Sequence, residues 1–498
     1  METISRTSTS QSEANASGKT TRAELHRPQY HFTPGKHWMN DPNGLIMFNG
    51  MYHLYYQYNP HGNQWGHMSW GHATSSDLVH WEEQAVAISE KEYMIFSGTT
   101  ALASDKQTLI AAFTSFDHGL NAKGELIAKA QHQSIAKSND GGYSYQEIAT
   151  NPVLDIGSKE FRDPKLFFDD KTQKWNMLVS LSTERKIAFY HSEDLEKWKK
   201  VSEFGPLGNI DMVWECPDFF ELQLHDNTTT KWILTVSAGH PQNGYLGVQY
   251  FIGDFDGTRF VPDKLPYPLY LDHGKDFYAG ITFANTGRKN YATMMAWVGS
   301  HIYSADTPTD VWKGAMSLPR DLFLTATKGG YRLQSKPPHS YLASLYEKPW
   351  GRKGLQLYNG MVEPPFKSKS FMARLLLKNK GSGTAGIKFH RSEECETVVG
   401  VDFANNEVFL DRTKGATKIF DPKFPGKDFV PTDASWQTLQ IDLFVDHSVV
   451  EVFVQKGEYC ITNLVFPDEN CNTIKLFSEG GMTFFEEFEI RNIKSIWK

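Results

Sequence analysis

Ser76-Asp77-Leu78-Val79-His80-Trp81 and Ser192-Glu193-Asp194-Leu195-Glu196-Lys197-Trp198 are two copies of one short pattern, a polar turn closing on an aromatic residue. Looser copies are Ser138-Asn139-Asp140-Gly141-Gly142-Tyr143-Ser144-Tyr145 and Gly253-Asp254-Phe255-Asp256-Gly257-Thr258-Arg259-Phe260. The closing aromatics stand at 81, 145, 198 and 260, steps of 64, 53 and 62 residues. Ser and Asp side chains bond the backbone a few residues on, which makes them turn formers. A repeating unit of roughly 50–60 residues that ends in such a turn suits a four-stranded propeller blade. The stretch from about 31 to 327 then holds five blades. A β-sandwich with recurrent Asp-containing turns is the competing architecture.

Between these turns the chain supplies short apolar, β-branched or aromatic runs. Examples are Gly50-Met51-Tyr52-His53-Leu54-Tyr55-Tyr56-Gln57-Tyr58, Trp175-Asn176-Met177-Leu178-Val179-Ser180 and Trp232-Ile233-Leu234-Thr235-Val236. Each is of strand length, and no long capped amphipathic pattern interrupts them. After Ser317-Leu318-Pro319-Arg320 and Pro337-Pro338 the texture changes to regularly spaced alternating strands. Among them are Phe371-Met372-Ala373-Arg374-Leu375-Leu376-Leu377 and Trp436-Gln437-Thr438-Leu439-Gln440-Ile441-Asp442-Leu443-Phe444-Val445. That spacing suggests a second β-sandwich domain. The expected organisation is all-β: a disordered tail over 1–24, a five-bladed β-propeller over 25–335 and a C-terminal β-sandwich over 336–498.

Composition narrows the function classes. The 498 residues are 40% hydrophobic and 13% aromatic, as in an ordinary folded protein. The net charge of −7 argues against nucleic acid or an anionic membrane as partner and fits a neutral substrate. No apolar run approaches the roughly 18–20 residues that span a bilayer. The Ser- and Thr-rich N-terminus lacks the apolar centre of a signal peptide. Retention inside the cell is one expectation, and secretion after loss of a signal is the other. Asn15-Ala16-Ser17 and Asn227-Thr228-Thr229 match the glycosylation sequon, which matters only to a secreted chain. The four cysteines (Cys216, Cys395, Cys460, Cys471) show no CxxC spacing, so free thiols are expected, with a Cys460–Cys471 pair left open. No metal cluster, phosphate loop or cofactor motif is present in the sequence, and no cofactor is expected. A homo-oligomer is left open.

Three carboxylates stand in distinctive settings: Asp41 in Trp38-Met39-Asn40-Asp41-Pro42-Asn43-Gly44, Asp163 in Glu160-Phe161-Arg162-Asp163-Pro164, and Glu215 in Trp214-Glu215-Cys216-Pro217-Asp218. An Asp before Pro in a Gly- and Asn-rich turn is usually a turn former. The separations of 122 and 52 residues fit two blades and one blade, so a radial fold could bring all three to one axis. Glu215 lies between Trp214 and Cys216, a setting that would desolvate it and raise its pKa.

Together the three motifs resemble glycoside hydrolase family 32, which includes invertases, levanases and inulinases that cleave β-fructosides. The resemblance covers 31–498. It implies retaining hydrolysis with Asp41 as nucleophile, Glu215 as general acid/base and Asp163 as transition-state stabiliser, with Arg162 beside it as a substrate-binding donor to sugar hydroxyls. By the same resemblance Asn40, Gln57, Trp65, Phe96, Ser97 and Trp312 surround a terminal fructose. His72 reads equally well as a neutral core histidine. The hairpin at Asp446-His447-Ser448-Val449-Val450-Glu451 resembles one in the family's C-terminal domain, with structural acids. One departure follows Trp297, where Val298-Gly299-Ser300-His301-Ile302-Tyr303 replaces an Asn and Trp found in many relatives. Two readings compete with the hydrolase: a fructosyltransferase of the same family, and a non-catalytic binding relative. A related five-bladed family that acts on arabinans and xylans shares the carboxylate logic but usually inverts.

Overall fold

In a computed structural model of the chain, which describes residues 22–224, 229–378, 383–433 and 435–497, the strands assemble as five blades and a sandwich. Blade I holds His37–Phe48, Met51–Tyr58, Ser69–Ser75 and Glu82–Glu83. Blade II holds Met94–Leu102, Leu109–Leu120, Leu126–Ser138 and Gln146–Glu147. Blade III is Phe161–Asp169, Lys174–Leu181, Lys186–Ser192 and Lys199–Phe204. Blade IV is Glu215–Gln223, Thr230–Gly239, Leu246–Phe255 and Phe260–Pro262. Blade V is Tyr278–Thr282, Ala292–Val298, Arg320–Thr327 and Gly330–Lys336. Trp312–Lys313, from the chain of blade V, pairs in parallel with His37 and Trp38 of blade I and so closes the ring.

The repeat that suggested blades is the turn before the fourth strand. Ser75 Oγ accepts the Leu78 N–H at 2.9 Å, and Asp77 Oδ1 accepts those of Val79 and His80 at 2.9 and 2.8 Å. Ser192 and Asp194 make the same bonds to Leu195, Glu196 and Lys197 at 2.9, 2.9 and 2.8 Å. The equivalent serine in blade I is therefore Ser75, one residue before the alignment drawn on the sequence. The central leucine is left-handed in both, at φ +67° for Leu78 and +69° for Leu195. The side-chain bonds hold a conformation that a branched residue otherwise avoids. Asp140 and Asp256 cap the matching turns of blades II and IV. Blade V makes this turn without the motif.

Apolar faces of neighbouring blades pack on one another all the way round. One cluster joins Ile46 and Trp70 of blade I to Ile95 and Phe113 of blade II. Another joins Ile281 and Met295 of blade V to Leu54 and Tyr56 of blade I, so no blade has a free face. His72 belongs to this packing: it is wholly buried, stacked on Tyr55 at 4.5 Å, with burial pushing its pKa down to about 3. It is a core histidine.

The C-terminal domain is organised by one long strand, Thr473–Asn492. It pairs with Thr384–Arg391 through its first part and with Phe371–Lys378 through its second, changing partner between Glu479 and Phe485. Two sheets thus share a strand around one apolar core. Two expectations for the cysteines are corrected. Cys395 and Cys471 form a disulfide, with Cα atoms 6.5 Å apart: Cys395 stands just before the strand Glu396–Asp402, and Cys471 just before Thr473–Asn492. Cys460 stays a buried free thiol within the strand Tyr459–Leu464. Most of the expected N-terminal tail, including Asn15, lies outside the described residues, as does Asn227. Residues 22 and 24 are docked, by ion pairs Arg22–Glu83 and Glu24–Arg27.

Buried charges bind the sandwich to the propeller. His31 Nδ1 meets Asp446 Oδ2 at 2.9 Å and its Nε2 meets Glu451 Oε1 at 3.1 Å. Arg320 bonds Asp272 at 2.7 Å and pairs with Glu451, while Arg412 pairs with Asp276. The acids of the Asp446–Glu451 hairpin are structural. Burial opposes charge on all of them, but the bonds between them outweigh it, holding Asp446 and Glu451 down at about 2 and raising His31. Stability from the two acids is therefore present above about pH 4 and lost as pH falls towards 2. That from His31 is full below about pH 6.5 and lost as pH rises through its higher folded value. Arg320→Met should cost about 3–5 kcal/mol by stranding Glu451 and Asp272. Thermal unfolding at pH 6 tests this, and an unchanged Tm would contradict it.

Candidate active site

The first, innermost strand of every blade carries a bulge at the same level. Two residues oppose one in each: Asn40-Asp41, Phe96-Ser97, Asp163-Pro164, Cys216-Pro217 and Ala279-Gly280. A bulge re-aims side chains and ends regular pairing. Here five of them form a ring, and in three of the five the first bulge residue is left-handed: Asp163 at φ +65°, Cys216 at +45° and Ala279 at +53°. Non-glycine residues in that region carry strain, which the surrounding structure must hold. The strain is spent on turning polar groups towards the axis.

The ring opens into a cavity of about 510 Å³. Asn40, Asp41, Gln57, Trp65, Phe96, Ser97, Arg162, Asp163 and Glu215 all line it. Trp312 does not. Its indole lies under the Arg27 guanidinium at 4.4 Å, buried beside Ser448, Leu464 and Phe466 where the two domains meet. The ring-closing pairing with His37 and Trp38 holds it there, so it packs the domain seam instead of the pocket wall. A second cavity, of about 540 Å³, is lined by Lys165, Glu221, Trp232 and Arg288, and none of Asp41, Asp163 and Glu215 reaches it.

Bonds between blades fix each carboxylate. Asp41 is buried, and its Oδ2 accepts the Ser97 hydroxyl at 2.8 Å and the Cys216 thiol at 3.4 Å. Its Oδ1 has no partner among the described residues. A buried carboxyl oxygen without a partner needs a reason. Asp163 Oδ2 accepts the Cys216 N–H at 2.9 Å, and the Asp163 N–H donates to Thr114 at 2.9 Å. Glu215 takes the Arg162 Nε–H at 3.0 Å on one oxygen and the Tyr278 hydroxyl on the other. Arg162 is itself held by Gln131 at 3.1 Å and Glu160 at 2.6 Å. The oxygen of Asn40 is engaged by the Trp38 indole N–H at 2.7 Å, which leaves its NH₂ as a donor. Gln57 donates to the Ile95 carbonyl at 3.0 Å and keeps its oxygen as an acceptor.

The proton distribution differs from the sequence expectation. Burial pushes Asp163 up, and with Glu215 and Asp41 close by it reaches about 7 despite Arg162. Glu215 lies lower than an ordinary glutamate: burial raises it, but Arg162, His301 and Tyr278 together outweigh that. The raised carboxyl of the unliganded cluster is thus Asp163, not Glu215. Arg162, the contact the sequence did not assign to Glu215, is the cause.

Two domain models match the chain: the N-terminal domain of glycosyl hydrolases family 32 over residues 31–337 and the family's C-terminal domain over 350–492. The chain belongs to glycosyl hydrolase family 32. It is 36% identical to an extracellular exo-inulinase of Aspergillus niger across 95% of both chains. It is 35% identical to a levanase of Bacillus subtilis over 97% of this chain and 73% of that protein. The crystal structure of the exo-inulinase from Aspergillus awamori superposes with a TM-score of 0.89 at 36% identity, over 96% of this chain and 100% of that one. Within this family 32 site several lining residues had no signal in the sequence. Met212, Leu246 and Ala305 reach the cavity from segments whose pattern says only strand or loop, while Trp38 stands in the Asp41 motif and Ile302 in the departure after Trp297. His301 was visible only as part of the departure after Trp297, and it faces the cavity beside Trp297 at 4.7 Å.

Proposed function

We propose that the protein is a retaining β-fructofuranosidase that removes terminal fructose from sucrose and from fructans. Asp41 attacks the anomeric carbon through its free Oδ1, while the Ser97 hydroxyl and Cys216 thiol hold Oδ2 in place. Glu215 protonates the departing oxygen and then activates water. Asp163 binds sugar hydroxyls and stabilises the oxocarbenium-like transition state, with Arg162 fixing Glu215 alongside. The observation that carries this reading is the buried Asp41 oxygen without a partner among the described residues, in a cavity where both oxygens of Glu215 are already bonded.

The proton required by Glu215 is supplied by the cluster as a whole. Asp163 lies among Glu215, Asp41 and the Arg162 guanidinium, and one proton stays in this cluster to about pH 7. Sugar hydroxyls donating to Asp163 favour its ionised form. The proton then resides on Glu215, next to the leaving group. Neither a metal nor an organic cofactor takes part in this scheme.

Relatives of this chain include an exo-inulinase, a levanase and an invertase of Schizosaccharomyces pombe, the last 29% identical. A fructofuranosidase from Schwanniomyces occidentalis, 28% identical with a TM-score of 0.84, has been solved with fructosylnystose. These support a β-fructoside substrate. Asn40, Gln57, Trp65 and Phe96 wall the cavity around the carboxylates, and the exo-inulinase relative favours exo attack. Incubation with sucrose, inulin and levan should give free fructose from the first time point. An early ladder of oligosaccharides from levan would contradict exo attack, and transfer products dominating at moderate sucrose would favour the fructosyltransferase reading.

A further inference from the structure

Between the second and third strands of blade I runs the loop Asn59-Pro60-His61-Gly62-Asn63-Gln64-Trp65-Gly66-His67, which carries Trp65 to the cavity wall. The loop is tied internally. Asn59 accepts the His61 N–H at 2.8 Å and donates to the Gln64 carbonyl at 2.8 Å. The two histidines that flank Trp65 converge on its outer side, with ring centroids 5.2 Å apart. Glu90 meets them there: its Oε1 is 2.6 Å from His67 Nδ1 and 3.9 Å from His61 Nε2. The Glu90 backbone is anchored to Ser69 Oγ at 2.9 Å. All three donor atoms lie within 4.8 Å of one another. The hydrolytic scheme uses none of these side chains.

We propose that His61, His67 and Glu90 form a site for a divalent transition cation of the zinc, cobalt or nickel type, and that the bound ion clamps the Trp65 loop and slows hydrolysis. Two imidazoles with one carboxylate select these ions over calcium and magnesium, which prefer all-oxygen shells. Three protein ligands plus a water complete a tetrahedron. An ion pair with Glu90 needs only one histidine; the second is what makes a chelating set. With bonds of 2.0–2.1 Å the ligand atoms of a tetrahedral zinc stand about 3.3 Å apart. His67 must therefore move away from Glu90 and His61 must approach it. Both rings are more than half exposed and free to turn. The residue between them shifts with the loop, and that residue is the pocket wall. A displacement of under about 1 Å in a positioning group is enough to cost rate.

The site is tested by titrating the full chain with zinc chloride at pH 7.5, beside the double variant His61→Ala/His67→Ala and the variant Glu90→Gln. The wild type should bind one more ion per chain than the double variant, with magnesium failing to displace it. Saturating zinc should lower kcat/KM on sucrose several-fold in the wild type and leave the double variant unaffected. Without metal the variants should match the wild-type rate. The rate comparison rests on the hydrolase reading; the ion count does not, so the two can fail separately. Equal ion counts in wild type and double variant would overturn the site. An extra ion with no change in rate would overturn the clamp.

Discussion

Glu215→Ala is expected to lower kcat on sucrose on the order of 10⁴-fold, and a substrate with an acidic leaving group should recover much of that loss. Such a leaving group departs without a proton, so only the later activation of water remains impaired. Asp41→Ala is expected to lose at least as much and to recover nothing, because no covalent ester can form whatever the leaving group. Both variants should stay folded: Asp41 is held by Ser97 and Cys216, and Glu215 by Arg162 and Tyr278, none of which spans the domain seam. Rates against leaving-group acidity for the two variants decide the assignment. Parallel responses would show that the nucleophile and the acid have been given the wrong residues.

Asp163→Asn should lower kcat/KM about 10²–10³-fold while making the empty protein more resistant to heat above pH 7. The amide oxygen can still accept the Cys216 N–H, so the bulge keeps its anchor. What is lost is a charge that strengthens bonds to the sugar in the transition state. What is gained follows from the sign of the shift. The Asp163 carboxyl titrates near 7 when folded and near the ordinary aspartate value when unfolded. Its contribution to stability is fully present below about pH 4 and is lost as pH rises through 7. The Tm difference between variant and wild type should therefore widen from pH 4 to pH 8. A constant difference would mean that Asp163 is not the group that holds the proton.

The blades were legible because their spacing is set by local chemistry. The Ser and Asp that cap the turns at 77, 140 and 194 bond backbone groups only two to four residues away, so each turn is written in one short stretch. The three carboxylates were legible through their flanking motifs, and the cavity brings them together as the blade spacing implies. The bulges were not legible. Whether Cys216 takes a left-handed φ depends on Asp163 of the neighbouring blade accepting its N–H, a bond across 53 residues of sequence. The same limit explains the error about Glu215: its neighbours in the chain suggest a raised pKa, whereas Arg162 and Tyr278, from two other blades, lower it. Trp312 was misplaced for a related reason. Its motif matched, but the seam with the sandwich domain, together with Arg27, decides where the ring goes.

The stereochemical outcome at the fructose anomeric carbon tests the account most directly. Direct attack by Asp41 needs the two catalytic carboxyl groups about 5–5.5 Å apart and gives retention by two inversions, whereas a gap of about 6.5–9.5 Å would seat a water and give one inversion. Fructose has no anomeric hydrogen, so carbon-13 spectra of the first product formed in methanol must report it. The account predicts a methyl β-fructofuranoside. An initial α-product would contradict it and remove the covalent role assigned to Asp41.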